Sequence, residues 1–374
     1  MSARPLRVAL LGGRGIPARY GGYETFAEEL APRLVARGFE VTVYGRSHYV
    51  PRGRRDHLGA RLVVLPTFRT KHLDTPVHTL LACLHAGRER FDAALMVNAA
   101  NALFVPLLER SGIPTLLNVD GIEKRRAKWG RFGRSVYALS ERLATLVASG
   151  LVTDAETIRE HYRRRYGADS EAIPYGVAPR PDRSTRLLRH LGVEPRRYAL
   201  YVSRFEPENN PHRVAEAWRR VQAPLPLVMV GSAPYQNAFI AGMTRGADPR
   251  IRFPGAIYGR GYRQLLSHAF AYVHATDVGG THPALVEALG YGNCCVVHET
   301  PENRETAGDA ALYFDVHAAG ELAALVDRLV LDPEEVLRRR LAAAKLARAR
   351  FDWERIADRY ADLLRSAAGA STTS

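Results

Sequence analysis

For most of its length the chain alternates short apolar runs with longer segments in which apolar residues recur every three or four positions. The runs have strand length and the segments have helical period. LRVALLG (6–12), a helical pattern over 24–37 and FEVTVYG (39–45) form a first strand–helix–strand unit. A right-handed crossover makes its two strands parallel. RLVVLP (61–66), a helix over 79–90, AALMVN (93–98) and TLLNVD (115–120) continue the series. The alternation pauses at AIPYG (172–176), and linker-like composition follows in PRPDRSTRLL. A second series then runs through YALYVSR (198–204), a helix over 212–220, PLVMVG (226–231), IRFPG (251–255), AYVHAT (271–276), a helix over 283–290 and CCVVHE (294–299). Two consecutive α/β series predict two doubly wound domains. The expected divisions are 1–178, 179–352, a final helix over 353–366 and a disordered small-residue tail over 367–374.

Composition narrows the class. A chain of 374 residues, 46% hydrophobic and 25% charged, is expected to form two globular domains. Cys83, Cys294 and Cys295 are too few and too poorly spaced for a disulfide framework or a zinc site. The amino terminus has no signal-peptide pattern and no apolar run is long enough to span a bilayer, so a cytoplasmic protein is expected.

The formal net charge of +14 speaks of anionic partners. Nucleic acid is not expected, because no helix-turn-helix, zinc-finger, RRM or KH signature is present. The basic residues gather in two stretches, 46–61 and 123–150. In the second, Lys124, Arg125, Arg126, Lys128, Arg131 and Arg134 flank Trp129, Phe132 and Tyr137. That mixture suits either an anionic membrane surface or a solvated basic helix face.

The polar residues that the fold does not explain follow strands. Gly13, Gly15 and Ala18 fit the G-x-G-x-x-A turn of dinucleotide-binding proteins. Pro17 and the turn Tyr20-Gly21-Gly22 delay the helix, however, and the second strand ends without the acid that would hold a ribose. A glycine loop whose backbone N–H groups approach phosphate fits better. Asp120 and Glu123 follow the fourth strand and can serve a ligand or a turn. Asp154 stands where a helix cap is expected. Arg204 leaves the first strand of the second series, placed for charge-assisted bonds to a diphosphate. Gly279-Gly280-Thr281 precedes a helix with Pro283 near its first position, and its N–H groups can receive phosphate oxygens. Glu287 sits among apolar neighbours one turn into that helix, suited to hydroxyl recognition. Tyr258 is either a base-stacking residue or a core tyrosine.

At these residues the chain resembles glycosyltransferase family 4, retaining enzymes of GT-B fold. Arg204 and Glu287 match its carboxyl-terminal Arg and the second acid of its Glu-x7-Glu segment. GGRGIPARYGGYETFAEEL, TKHLDTPVHT, NVDGIEKRRAKW, RFEPENN, VGGTHPALVEAL and ENRE look like the bacterial β-1,4-rhamnosyltransferase branch, which uses dTDP-L-rhamnose. The chain departs from the broad family at Gly279, where the first acid would fall, and at Asn209, where a Lys is usual. Both departures resemble the rhamnosyl branch, while Lys124 replaces a Trp usual there. The resemblance implies two Rossmann-like domains facing a central cleft, with the last helix returning to the first domain. It further implies a nucleotide-sugar donor held by Arg204, Asn209, Tyr258, Gly279, Gly280, Thr281 and Glu287. The acceptor, a polyprenyl-diphosphate-linked saccharide at the inner membrane face, would meet Gly15, Tyr20, Gly21, Gly22, Asp120 and Glu123. Catalytic roles fall to Asp120, Arg204 and Glu287, and the membrane patch to Arg125, Arg126, Lys128, Trp129 and Arg131. No metal or other cofactor is expected, since no Asp-x-Asp motif occurs. A same-fold transferase using a UDP- or GDP-sugar, a nucleotide-sugar epimerase, an NAD(P)-dependent oxidoreductase and a non-catalytic sugar-nucleotide-binding protein are the alternatives.

Overall fold

A computed structural model describes residues 4–18, 21–70, 73–119, 121, 131–233, 237–318 and 320–370. The chain divides into two compact units, Met1–Tyr175 with Trp353–Ser374, and Gly176–Asp352.

The first unit holds strands β1 (Arg7–Leu11), β2 (Glu40–Arg46), β3 (Asp56–His57), β4 (Ala60–Leu65), β5 (Ala93–Val97), β6 (Thr115–Asn118), β7 (Gly150–Thr153) and β8 (Glu171–Ala172). They form one sheet in the order β3-β4-β2-β1-β5-β6-β7-β8. Every pairing is parallel except β3 with β4. The second unit holds β9 (Ala199–Val202), β10 (Leu227–Val230), β11 (Ile251–Gly255), β12 (Ala271–His274), β13 (Cys294–His298) and β14 (Ala311–Phe314). Their order is β11-β10-β9-β12-β13-β14, all parallel.

Continuous apolar strands are what a sheet covered on both faces requires. Tyr201, Met229, Val273, Cys294 and Val296 belong to one buried cluster of the second unit, and Leu200, Val228, Tyr272, Cys295 and Val297 to the other. The adjacent cysteines therefore point to opposite faces of β13, as the strand's two-residue period demands. Burial pushes the Cys83 and Cys294 thiols up to about 12, so neither is a thiolate near neutrality.

Three boundaries differ from the sequence expectation. The helix Asp74–Ala86 begins five residues before the expected start at 79, since Asp74 and Thr75 are anchored by Arg46 from the end of β2. Strand β14 and the helices Pro301–Ala307, Glu321–Leu331 and Pro333–Arg350 extend the second series beyond CCVVHE. The final helix, Trp353–Ala370, runs past the expected end at 366. Alanine favours helix, and Leu364 and Ala368, one turn apart, are both buried.

That final helix packs on the first unit. Phe26 lies edge-on to Tyr360 with ring centroids 5.3 Å apart, 5.9 Å from Tyr175 and 6.0 Å from Trp353. Asn118 Nδ2 donates to the buried Tyr360 hydroxyl at 2.9 Å. Arg33 and Arg37 also pair with Glu354 and Asp358, but those acids are exposed and such pairs contribute only about 0.2–1 kcal/mol. Burying Phe26 contributes about 1.5–3 kcal/mol, so the aromatic cluster holds the helix.

Two core histidines are kept neutral. Burial, aided by the charge of Arg46, lowers His78 to about 4. Burial and His298 lower His274 to about 3. Both protonate more readily when unfolded, near the ordinary 6.5. The unfolded chain thus binds more protons below that pH, and stability falls as pH drops from about 6.5 towards the folded values. The expected slope is about 1.4 kcal/mol per pH unit for each histidine. Denaturation midpoints at successive pH values measure it, and His78→Gln should flatten it.

Candidate active site

Open α/β sheets bind ligands beyond the carboxyl ends of strands where the strand order reverses. In the second unit the reversal lies between β9 and β12. Arg204 follows β9, and Asp277 to Thr281 follow β12. The two loops are stitched together. Asp277 N–H donates to the Glu208 carbonyl at 2.9 Å, and Asn210 Nδ2 donates to the Ala275 carbonyl at 2.8 Å.

Arg204 is exposed, its side chain 42% accessible with Glu206 Oε1 3.6 Å from Nη1. Its backbone is fixed from beneath: Asn209 Nδ2 donates to the Arg204 carbonyl at 2.7 Å, and the buried Tyr201 hydroxyl donates to the Asn209 carbonyl at 2.5 Å. Asn209 is itself buried. Its amide therefore shapes the Arg204 loop, which no sequence signal announced.

The helix Pro283–Gly290 has His282 at its N-cap and Pro283 in the first turn, with Gly279, Gly280 and the buried Thr281 just before it. Gly279 has φ +156°, and a Cβ there would lie 2.3 Å from the His282 ring. The ring in turn packs on His274, centroids 4.8 Å apart. The acid that family resemblance expects at 279 has no room. Glu287 is half-buried and its Oε2 accepts from the Tyr262 hydroxyl at 2.7 Å. Burial, then the Glu287 charge, holds the Tyr262 phenol well above its usual range, so it stays a donor to the carboxylate. Tyr258 is not a core residue: it is 54% exposed at the N-cap of Gly259–His268, the helix carrying Tyr262.

The reading of the sequence overlooked Asp277, His298 and His317. Asp277 Oδ1 lies 3.1 Å from His298 Nε2 and 3.3 Å from His317 Nε2. Burial opposes charge on His298, yet its hydrogen bonds to Asp277 and the Phe314 carbonyl raise it above the ordinary value. The three side chains present ligand atoms within 4.8 Å of one another, the spacing of a cation site, and equally satisfy one another as an ion-pair cluster. Their separation in sequence hid them.

In the first unit the strand order reverses between β1 and β5. The glycine loop follows β1, and Arg14 N–H donates to Glu24 Oε1 at 3.2 Å. Gly12 and Gly15 are the positions that need glycine: at Gly12 φ is +91° and a Cβ would stand 2.5 Å from the Val97 carbonyl oxygen, and at Gly15 φ is +100° and a Cβ would stand 2.6 Å from Gly45 Cα. Gly21 is extended at φ −153° and caps the helix Gly22–Ala36. After β5, Asn98 Oδ1 accepts from Ala100 N–H, and buried Asn101 donates to the Val97 carbonyl and accepts from Thr79. These asparagines, unmarked by sequence motif, fix the loop beside the glycines. Asp154 is buried but not the cap, since the helix Glu156–Tyr166 has Ala155 at that position. Tyr20, Asp120, Glu123, Arg125, Arg126, Lys128 and Trp129 lie outside the described residues, and Arg131 opens the helix Arg131–Val147.

Residues 21–176 match the glycosyl transferase 4-like domain, and residues 187–347 match the glycosyl transferases group 1 domain. No curated protein sequence matches the chain. Among solved structures, sucrose-phosphate synthase from Thermosynechococcus elongatus is similar at 18% identity and a TM-score of 0.82, covering 98% of this chain and 100% of that one. HepE from Anabaena, solved with UDP and glucose, is similar at 16% identity and 0.78, covering 96% and 100%. A trehalose 6-phosphate synthase from Burkholderia multivorans reaches 13% and 0.72, covering 99% and 98%. These likenesses give the fold, and the oxidoreductase and epimerase alternatives gain no support. With two parallel α/β units and both domain matches in sequence order, the chain belongs to the glycosyltransferases of GT-B fold.

Proposed function

We propose that the protein is a retaining glycosyltransferase of family 4 that moves a sugar, L-rhamnose from dTDP-L-rhamnose, onto a polyprenyl-diphosphate-linked saccharide in cell-surface polysaccharide synthesis. The observation that carries the reading is the stitched pair of loops beyond β9 and β12, with Arg204 on one and the Gly279–Thr281 helix entry on the other.

The chemical difficulty is the charge that develops on the departing diphosphate. Arg204 and the N–H groups entering the helix Pro283–Gly290 supply positive charge for it without a metal ion. The bond from the anomeric carbon to the diphosphate breaks as the bond to the acceptor oxygen forms on the same face. A leaving phosphate oxygen takes the acceptor hydroxyl's proton. Glu287, oriented by Tyr262, holds the nucleoside ribose, and exposed Tyr258 stacks on the base. Asp120 orients the acceptor, and Gly15, Tyr20, Gly21, Gly22 and Glu123 approach it.

No helix among the described residues is long and apolar enough to cross a membrane. We infer peripheral attachment at the inner face through Arg125, Arg126, Lys128, Trp129 and Arg131. In the helix beginning at Arg131, Leu139 and Leu146, seven residues apart, are both exposed. HepE was solved with UDP-glucose, which makes a UDP-sugar the second donor to try.

A ligand that binds only the folded state raises its apparent stability. In a thermal-shift panel of dTDP-, UDP- and GDP-sugars, dTDP-L-rhamnose is expected to give the largest rise, and transfer to a lipid-linked acceptor should follow. A larger rise with a UDP- or GDP-sugar would reassign the donor.

A further inference from the structure

The basic stretch at 46–61 has no part in the chemistry above. It lines a depression of about 480 Å³ in the first unit, together with Thr67 and Arg69. Its wall carries Arg52, Arg54, Arg55, Arg69 and His48 and not one carboxylate. Arg54 faces His57, while Arg52, Arg55 and Arg69 make no ion pair or side-chain hydrogen bond among the described residues. Like charges crowded together repel, and burial with the nearby Arg46, Arg69 and Arg14 lowers His48 in spite of Asp74, 3.5 Å away. Such a pocket is completed by a multiply charged anion, and guanidinium forks match phosphate oxygens.

Its rim is apolar. Phe68, between Thr67 and Arg69, is 59% exposed. The helix Asp74–Ala86 starts against the pocket wall, Asp74 Oδ1 lying 3.5 Å from His48 Nε2. Leu73, Leu80 and Leu84 along it are all exposed, and spacings of seven and four place them on one face. A phosphate pocket bordered by an apolar stripe fits an anion joined to a hydrocarbon chain better than it fits a free anion.

We propose that this pocket binds the diphosphate of the polyprenyl-linked acceptor, with the Phe68–Leu84 stripe receiving the first isoprene units. The proposal rests on the lipid-linked acceptor of the proposed function and assigns it residues other than those proposed for the membrane patch.

Farnesyl diphosphate, a short soluble probe, tests it by isothermal titration with the full chain. Binding is expected, with inorganic pyrophosphate at least tenfold weaker. Arg52→Glu/Arg55→Glu/Arg69→Glu should weaken both at least tenfold, and the milder Arg→Gln triple variant should move them the same way. Leu80→Glu/Leu84→Glu should weaken farnesyl diphosphate alone. Unchanged farnesyl diphosphate affinity in the arginine variants would overturn the pocket while leaving the transferase reading intact. Absence of sugar transfer to any polyprenyl-diphosphate acceptor, with farnesyl diphosphate still bound in the pocket, would instead overturn the acceptor reading. If phosphatidylglycerol vesicles bind the wild type and displace farnesyl diphosphate from the pocket, the site reads bilayer headgroups and the assignment to the acceptor fails.

Discussion

Arg204→Ala is expected to lower kcat for sugar transfer by about 10²–10³-fold, with the melting temperature unchanged. The magnitude is that of one fixed donor aimed at developing negative charge, about 2.7–4 kcal/mol. The fold should not suffer, because the side chain is 42% accessible and, among the described residues, its one close ionic neighbour is Glu206 at 3.6 Å. The loop itself is held by Asn209 through the Arg204 carbonyl, which alanine retains. Arg204→Lys should recover only part of the rate, since an ammonium keeps the charge but loses the two-pronged geometry. Steady-state transfer kinetics and a thermal melt measure both effects. Near-normal turnover in the alanine variant would place the diphosphate elsewhere.

Gly279→Ala is the second large effect. The added methyl would stand 2.3 Å from His282 Cε1 and 2.8 Å from Nε2. His282 cannot retreat freely, because its ring packs on buried His274. The loop must therefore move away from the helix entry, at a cost of about 1–3 kcal/mol of stability. Donor KM is expected to rise at least tenfold. Gly279→Glu, which restores the acid usual in the broader family, should be worse rather than better. Adding His282→Ala removes the ring that is struck, so the double variant should regain much of the donor affinity lost in Gly279→Ala. Donor titrations of the single and double variants decide between this steric account and a loss of backbone contacts.

The strand cores were legible in sequence because parallel strands covered on both faces are apolar throughout. The delayed start of the first helix was legible too, since Pro17 and the glycines interrupt the pattern and the helix begins at Gly22. Gly21, extended at φ −153°, has no conformational need of glycine. What makes Gly15 indispensable is the approach of Gly45 from β2, which a linear pattern does not contain. Tyr262 escaped notice for a similar reason, being 25 residues from Glu287 in the chain and 2.7 Å from it in space.

The sequence by itself determined two α/β series, their order, and the polar and glycine residues that follow their strands: Arg204, the glycines before Pro283, and Glu287 in the helix after them. Local periodicity and turn chemistry suffice for these because each depends on neighbours in the chain. The tertiary structure decided which loops share an edge, that Asn209 supports Arg204 from beneath, that His282 fills the space of the missing acid, and that four arginines line one pocket without a carboxylate. Those depend on strand order and side-chain packing, in which contacts join residues far apart in sequence.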